Sequence, residues 1–124
     1  MYVVSESEQR TTRTPAGAMF ALAGPSQGST EVSTWRVEIG ADTSTPVHTI
    51  DREQVWTLIS GEFEAEVDGT TEQVKAGQAI IIPGGVVRQL KAVGGPAEAL
   101  VAMVVGGQAM VPGSDKLIPL PWAQ

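Results

Sequence analysis

Gly77-Gln78-Ala79-Ile80-Ile81-Ile82-Pro83-Gly84-Gly85-Val86-Val87-Arg88 decides how this chain folds. Ala79 to Ile82 is too short for a helix and reads as a strand, Pro83-Gly84-Gly85 breaks it as a turn, and Val86 opens the next strand. Upstream stands a second stretch, Pro46-Val47-His48-Thr49-Ile50-Asp51-Arg52-Glu53-Gln54, followed after six residues by Gly61. It carries the only histidine of the protein.

Outward from these stretches the pattern continues. Short apolar runs alternate with Gly, Pro, Ser and Asp at intervals of about ten residues, as in an all-β sandwich or barrel. Strands are expected near Ala18–Leu22, Val32–Ile39, Gln54–Ser60, Glu62–Asp68, Ala79–Ile82, Val86–Lys91 and Ala97–Val105. In Glu62-Phe63-Glu64-Ala65-Glu66-Val67-Asp68 every second residue is acidic, so one face is solvated and the other buried, and Asp68-Gly69 supplies a tight turn. Ser33, Trp35, Val37 and Ile39 share one face of their strand, which puts Trp35 against the core.

Composition sets the outer limits. A length of 124 residues accommodates one domain spanning 1–124, and 42% apolar with 18% charged residues fits an ordered globular chain. A net charge of −6 without a block of lysines or arginines argues against nucleic acid or an anionic membrane as partner. With no cysteine there are neither disulfides nor thiolate metal sites, so a reducing compartment, the cytoplasm, is expected. No stretch approaches the roughly 20 apolar residues of a membrane span. Residues 1–15 read as an N-terminal arm whose Tyr2-Val3-Val4 can add an edge strand to a neighbouring subunit. Residues 111–124 read as a proline-rich tail packed along the barrel wall, with Trp122 as anchor.

The two quoted stretches resemble the paired motifs of the cupin superfamily in its small, single-domain form. Gly40 lies upstream, His48 matches the first histidine of the first motif, Ile50 replaces the second, Gln54 falls at the glutamate and Gly61 closes the motif. In the second motif Gly77, Pro83 and Gly85 match, while Arg88 takes the place of the histidine and Ala92 that of the asparagine. The resemblance implies an all-β, cupin-type jelly-roll β-barrel of two packed antiparallel sheets, frequently a homodimer, with a pocket inside the barrel. It implies no single reaction, since the superfamily includes dioxygenases, isomerases, epimerases, decarboxylases, cyclases and binding proteins.

Side-chain chemistry at the ligand positions departs from the pattern. Ile50 cannot ligate, Gln54 offers only a neutral amide oxygen, and Arg88 brings a permanent cation that repels a divalent ion. Glu53 points away from the Gln54 face of the strand. No metal is therefore expected, although a weak divalent site at His48, with Gln54 and waters, stays open. Arg88 can fork onto a carboxylate, phosphate or enolate oxygen, and His48, with an ordinary pKa of about 6.5, can move a proton. Gln54 can orient a ligand or the imidazole, and Ile50, Trp35, Trp56, Leu58 and Met103 are the candidate substrate-facing wall.

Each assignment has a plainer competitor. His48 can be a hydrogen-bonded core residue, Arg88 an ion-pair partner of Glu53 or Glu64, and Gln54 a structural residue. The leading expectation is a small-molecule enzyme with His48 and Arg88 catalytic, working by metal-independent acid/base chemistry: isomerisation, cyclisation or elimination of a small organic substrate, anions among the candidates. One alternative is a barrel that binds or senses a small molecule without converting it. A further one is a weakly metal-dependent cupin of dioxygenase type.

Overall fold

The computed structural model describes all 124 residues. Twelve strands follow in order: β1 (Thr11–Thr14), β2 (Gly17–Ala21), β3 (Val32–Ile39), β4 (Thr49–Ile50), β5 (Gln54–Ser60), β6 (Glu62–Val67), β7 (Thr70–Lys75), β8 (Ala79–Ile82), β9 (Arg88–Ala92), β10 (Ala97–Val104), β11 (Gln108–Met110) and β12 (Ile118–Pro119). The only helical pieces are three single 3-10 turns, and no helix is long and apolar enough to cross a membrane.

All pairings are antiparallel. Six strands form one sheet in the order β1-β2-β3-β10-β5-β8; two three-stranded sheets have the orders β7-β6-β9 and β12-β11-β4. Isolated bridges Ser44↔Lys91 and His48↔Arg88 stitch the segment leading into β4 onto β9, so the two small sheets act as one second layer. The layers close on a shared core. Trp35, Val37, Trp56, Leu58 and Val101 from the large sheet pack in one cluster with Phe63, Ala65, Leu90 and Ala92 from the second layer. Trp56 and Phe63 meet edge to face with ring centroids 5.9 Å apart. This is the jelly-roll of two packed antiparallel sheets that the sequence predicts.

Alternation explains the layering. Along β3, Ser33, Trp35, Val37 and Ile39 are all buried, and along β6 Phe63 and Ala65 are buried while Glu64 and Glu66 are exposed. Gly61, joining β5 to β6, has φ of 77°, and an added Cβ would stand 2.4 Å from the carbonyl oxygen of Pro96. Glycine is required there twice over, by backbone conformation and by space.

One expectation about the chain ends needs correction. The N-terminal arm does not extend to residue 15: Thr11–Thr14 pair with β2 in the large sheet, and only the stretch before Glu8 lacks regular structure. The tail packs on the barrel as expected, with Trp122 against the core cluster and two further anchors beside it. Leu120 and Ala123 are the fully buried residues, Trp122 is half-buried beside them, and Ile118–Pro119 pair with β11 despite the proline, whose missing N–H falls at the end of a two-residue ladder.

Candidate functional site

His48 and Arg88 face each other across two main-chain hydrogen bonds. The His48 N–H donates to the Arg88 carbonyl at 3.3 Å, and the Arg88 N–H donates to the His48 carbonyl at 3.0 Å. Residues directly opposite in such an antiparallel pair project their side chains to the same face. Three further bonds align the strand: Thr45 N–H donates to the Leu90 carbonyl, Leu90 N–H to Thr45 Oγ1, and Gln89 Nε2 to the Thr45 carbonyl. The turn at Pro83-Gly84-Gly85 fixes the other flank, because the Gly85 N–H donates to the Ile50 carbonyl at 2.7 Å.

Arg88 is 2% exposed, and its guanidinium crosses from the second layer to the large sheet. Its Nη2 donates to Gln54 Oε1 at 2.8 Å. The same oxygen accepts the Trp56 indole N–H at 3.0 Å, so both of its lone pairs are engaged. Gln54 Nε2 donates to Met103 Sδ at 3.5 Å, with Met103 directly opposite on β10. The amide orientation follows: flipped, it would aim NH₂ at two donors. Arg88 Nε and Nη1 have no partner. Burial lowers the Arg88 pKa to about 10, so the group stays cationic at pH 7.

His48 is half-buried, and its Nδ1 lies 2.6 Å from the Pro46 carbonyl. A carbonyl only accepts, so Nδ1 carries the proton and Nε2 of the neutral ring is the free base. Burial pushes the His48 pKa below 6.5, the nearby Arg88 charge pushes it the same way, and the Pro46 hydrogen bond opposes both. The neutral ring prevails at pH 7.

Ile50, Trp35, Trp56, Leu58 and Met103 all belong to the buried core cluster, and of these Trp56 and Met103 hydrogen-bond to Gln54. Glu53 and Glu64 are both exposed and form no ion pair with Arg88; its acceptor is Gln54. A cleft of about 50 Å³, room for a water or two, touches Arg88 between Val47, Glu66, Gly69, Val87 and Gln89. A larger open groove, about 520 Å³, lies beside Gly61, Glu62, Lys75 and Pro96 at the opposite end of β5 and β10 from Gln54 and Met103, and no predicted site residue lines it.

The donor set does not fit a divalent metal. His48 is the sole imidazole, Gln54 Oε1 is committed to Arg88 and Trp56, and the guanidinium occupies the interior beside them. Nowhere in the chain do three or more His, Cys, Asp or Glu side chains converge as ligands.

Sequence reasoning placed Ser33 on the Trp35 face but gave no role to it or to Leu120; Ser33 is fully buried and donates from Oγ to the Ala123 carbonyl at 2.7 Å. A serine in line with Trp35, Val37 and Ile39 on a buried face was the available signal.

Comparison with known proteins agrees with the fold. The polyketide cyclase RemF from Streptomyces resistomycificus superposes with a TM-score of 0.74 at 20% identity, covering 91% of this chain and 82% of its own. KdgF from Halomonas sp. gives 0.67 at 14% identity, covering 81% and 84%. An RmlC-like cupin from Shewanella frigidimarina gives 0.64 at 19% identity, covering 82% and 92%. At these identities the likeness is one of fold. No curated protein matches in sequence. The family described as Cupin domain matches residues 34–104, a span holding both motifs and all eight candidate site residues. With the motif spacing and the two-layered barrel, this match makes the chain a member of the cupin family.

Proposed function

We propose that this cupin is a metal-independent enzyme that takes a small organic anion into the barrel, binds its carboxylate or oxyanion at Arg88, and moves a proton with His48. One observation carries the reading: a buried guanidinium with Nε and Nη1 unpartnered sits opposite a neutral histidine. A buried cation without a counter-charge is costly, and an anion is the group that completes it. His48 Nε2 then takes a proton from carbon or oxygen beside the anionic group, and the guanidinium stabilises the charge left behind. Isomerisation, cyclisation and elimination all need such a step. Cyclisation is the activity named for RemF, a protein of the same fold.

Deuterium wash-in tests this without knowledge of the substrate. Small keto acids and phenolic acids are incubated with the protein in D₂O and followed by proton NMR. Exchange is expected with the native chain, lost in His48→Ala and lost together with binding in Arg88→Ala. Exchange surviving both substitutions refutes the mechanism.

The binding-module reading draws on the saturated Gln54 amide, which holds the guanidinium in place without itself offering a reactive group. A ligand seen by native mass spectrometry and recovered unchanged after long incubation supports it. The partner in either reading includes a second copy of the chain. Val32, Ile81, Leu100 and Val104 are exposed on the outward face of the large sheet, where a lone antiparallel sheet carries polar residues. Sedimentation equilibrium at twice the chain mass, reverting to one chain in Leu100→Glu, is the expected result.

A further inference from the structure

Four inward side chains form a row across the large sheet. Met103 stands opposite Ser33 on one side and Gln54 on the other, and Gln54 stands opposite Ile82. The row lies where β3 and β5 begin and β10 and β8 end, which makes it one rim of the barrel. Arg88 joins this rim through Gln54.

The other occupant of the rim is the C-terminal segment. Ile118–Pro119 belong to the second layer through β11, while the terminal turn Pro121–Ala123 packs against β1, β2 and β3 of the large sheet. The segment therefore spans the gap between the layers. Leu120 and Ala123 enter the core cluster from above, and the Ala123 carbonyl is fixed by Ser33, the end member of the row. Its attachments are a two-residue ladder, the Ser33 bond and side-chain packing by Leu120, Ala123 and the half-buried Trp122. Residues 111–117, which tether it, are all exposed.

Arg88, Gln54, Trp56 and Met103 are all buried and the cleft touching Arg88 holds only a water or two, so an organic anion reaches the guanidinium only if part of the wall moves. The members of the row belong to continuous ladders, whereas the C-terminal segment is held by a two-residue ladder, one side-chain hydrogen bond and packing. We infer that residues 118–124 are a lid over the mouth through which an anion reaches Arg88, swinging on the 111–117 tether. The inference rests on the reading of Arg88 as an anion site.

Phenylglyoxal, which modifies arginine, tests the lid directly on the full chain, with peptide mass spectrometry as readout. Arg13 and Arg52, whose side chains are 62% and 55% exposed, serve as internal references. In the native chain Arg88 is expected to react far more slowly than either. Leu120→Ala, which loosens the lid, raises the Arg88 rate at least about tenfold and leaves Arg13 and Arg52 unchanged. Ser33→Ala, the milder change, raises it severalfold and carries the test if Leu120→Ala fails to fold. Ile39→Ala, buried at the far end of β3, leaves the Arg88 rate near native. Native rates in both lid variants, or equal acceleration in Ile39→Ala, overturn the inference. Sodium benzoate separates the two claims: failure to slow modification of the uncovered Arg88 overturns the anion site and leaves the lid standing.

Discussion

Replacing Arg88 with methionine should make this protein more stable. The side chain is 2% exposed, and burial lowers its pKa from 12.5 to about 10. At about 1.4 kcal/mol per pKa unit, that drop corresponds to about 3 kcal/mol of lost solvation of the cation. Three unpartnered N–H groups on Nε and Nη1, at about 1 kcal/mol each, lead to a similar figure. Against this, the bond to Gln54 Oε1 contributes about 2 kcal/mol and is lost. Methionine recovers about 1 kcal/mol by burying an apolar chain of similar reach, and Gln54 Oε1 keeps the Trp56 indole as donor. The balance is a gain of about 2 kcal/mol for Arg88→Met. Urea denaturation followed by tryptophan fluorescence measures it, and a melting temperature higher by about 8 °C accompanies it. Benzoate at about ten times its Kd should add about 1.4 kcal/mol to the native protein and nothing to the variant. A variant less stable than native by 1 kcal/mol or more refutes the reasoning, because the guanidinium would then be a structural asset rather than a site kept for a ligand.

Gln54→Leu removes the acceptor of both the guanidinium and the indole, and should cost about 3 kcal/mol by thermal denaturation; in an Arg88→Met background the cost should fall to about 1 kcal/mol, exposing the coupling between the two. His48 has a folded pKa below 6.5, so below pH 6.5 the unfolded chain binds its proton more readily and stability falls as pH drops through that range; His48→Asn should flatten this part of the pH profile. The carboxylate of Glu6, held low chiefly by its hydrogen bond to Arg36, loses its contribution in a separate window below pH 4.5. Gly61 and Gly77 both have positive φ, but only Gly61 faces backbone, so Gly77→Ala should cost about 1 kcal/mol and Gly61→Ala about 3 kcal/mol or more in chemical denaturation.

Strands with one buried face were legible in the sequence. β3, β5 and β8 have the expected bounds, β6 and β10 end one residue early, and β2 and β9 differ by one or two residues at both ends. The strands that escaped notice lack that face. β7 exposes every residue but Val74, and β1, Thr-Thr-Arg-Thr, is an edge strand held by its hydrogen bonds to β2. β11 and β12 are too short to show a period. Within the site, spacing brought His48, Gln54 and Arg88 into one neighbourhood, because motif positions map onto strand register. It did not foretell that Gln54 serves Arg88 and Trp56 at once, or that His48 turns its Nδ1 back to Pro46, since such choices depend on which donors and acceptors converge in three dimensions.

The double main-chain link between positions 48 and 88 depends on no side chain at all. Whatever residues stand there emerge side by side on one face, position 88 into the interior with position 54 within reach across the gap. The pair therefore behaves as a socket whose wiring is permanent and whose contents are exchangeable. An engineer could fill it with donors, through Ile50→His, Gln54→Glu and Arg88→His together, and ask zinc to bind where a guanidinium now stands, without rebuilding any strand.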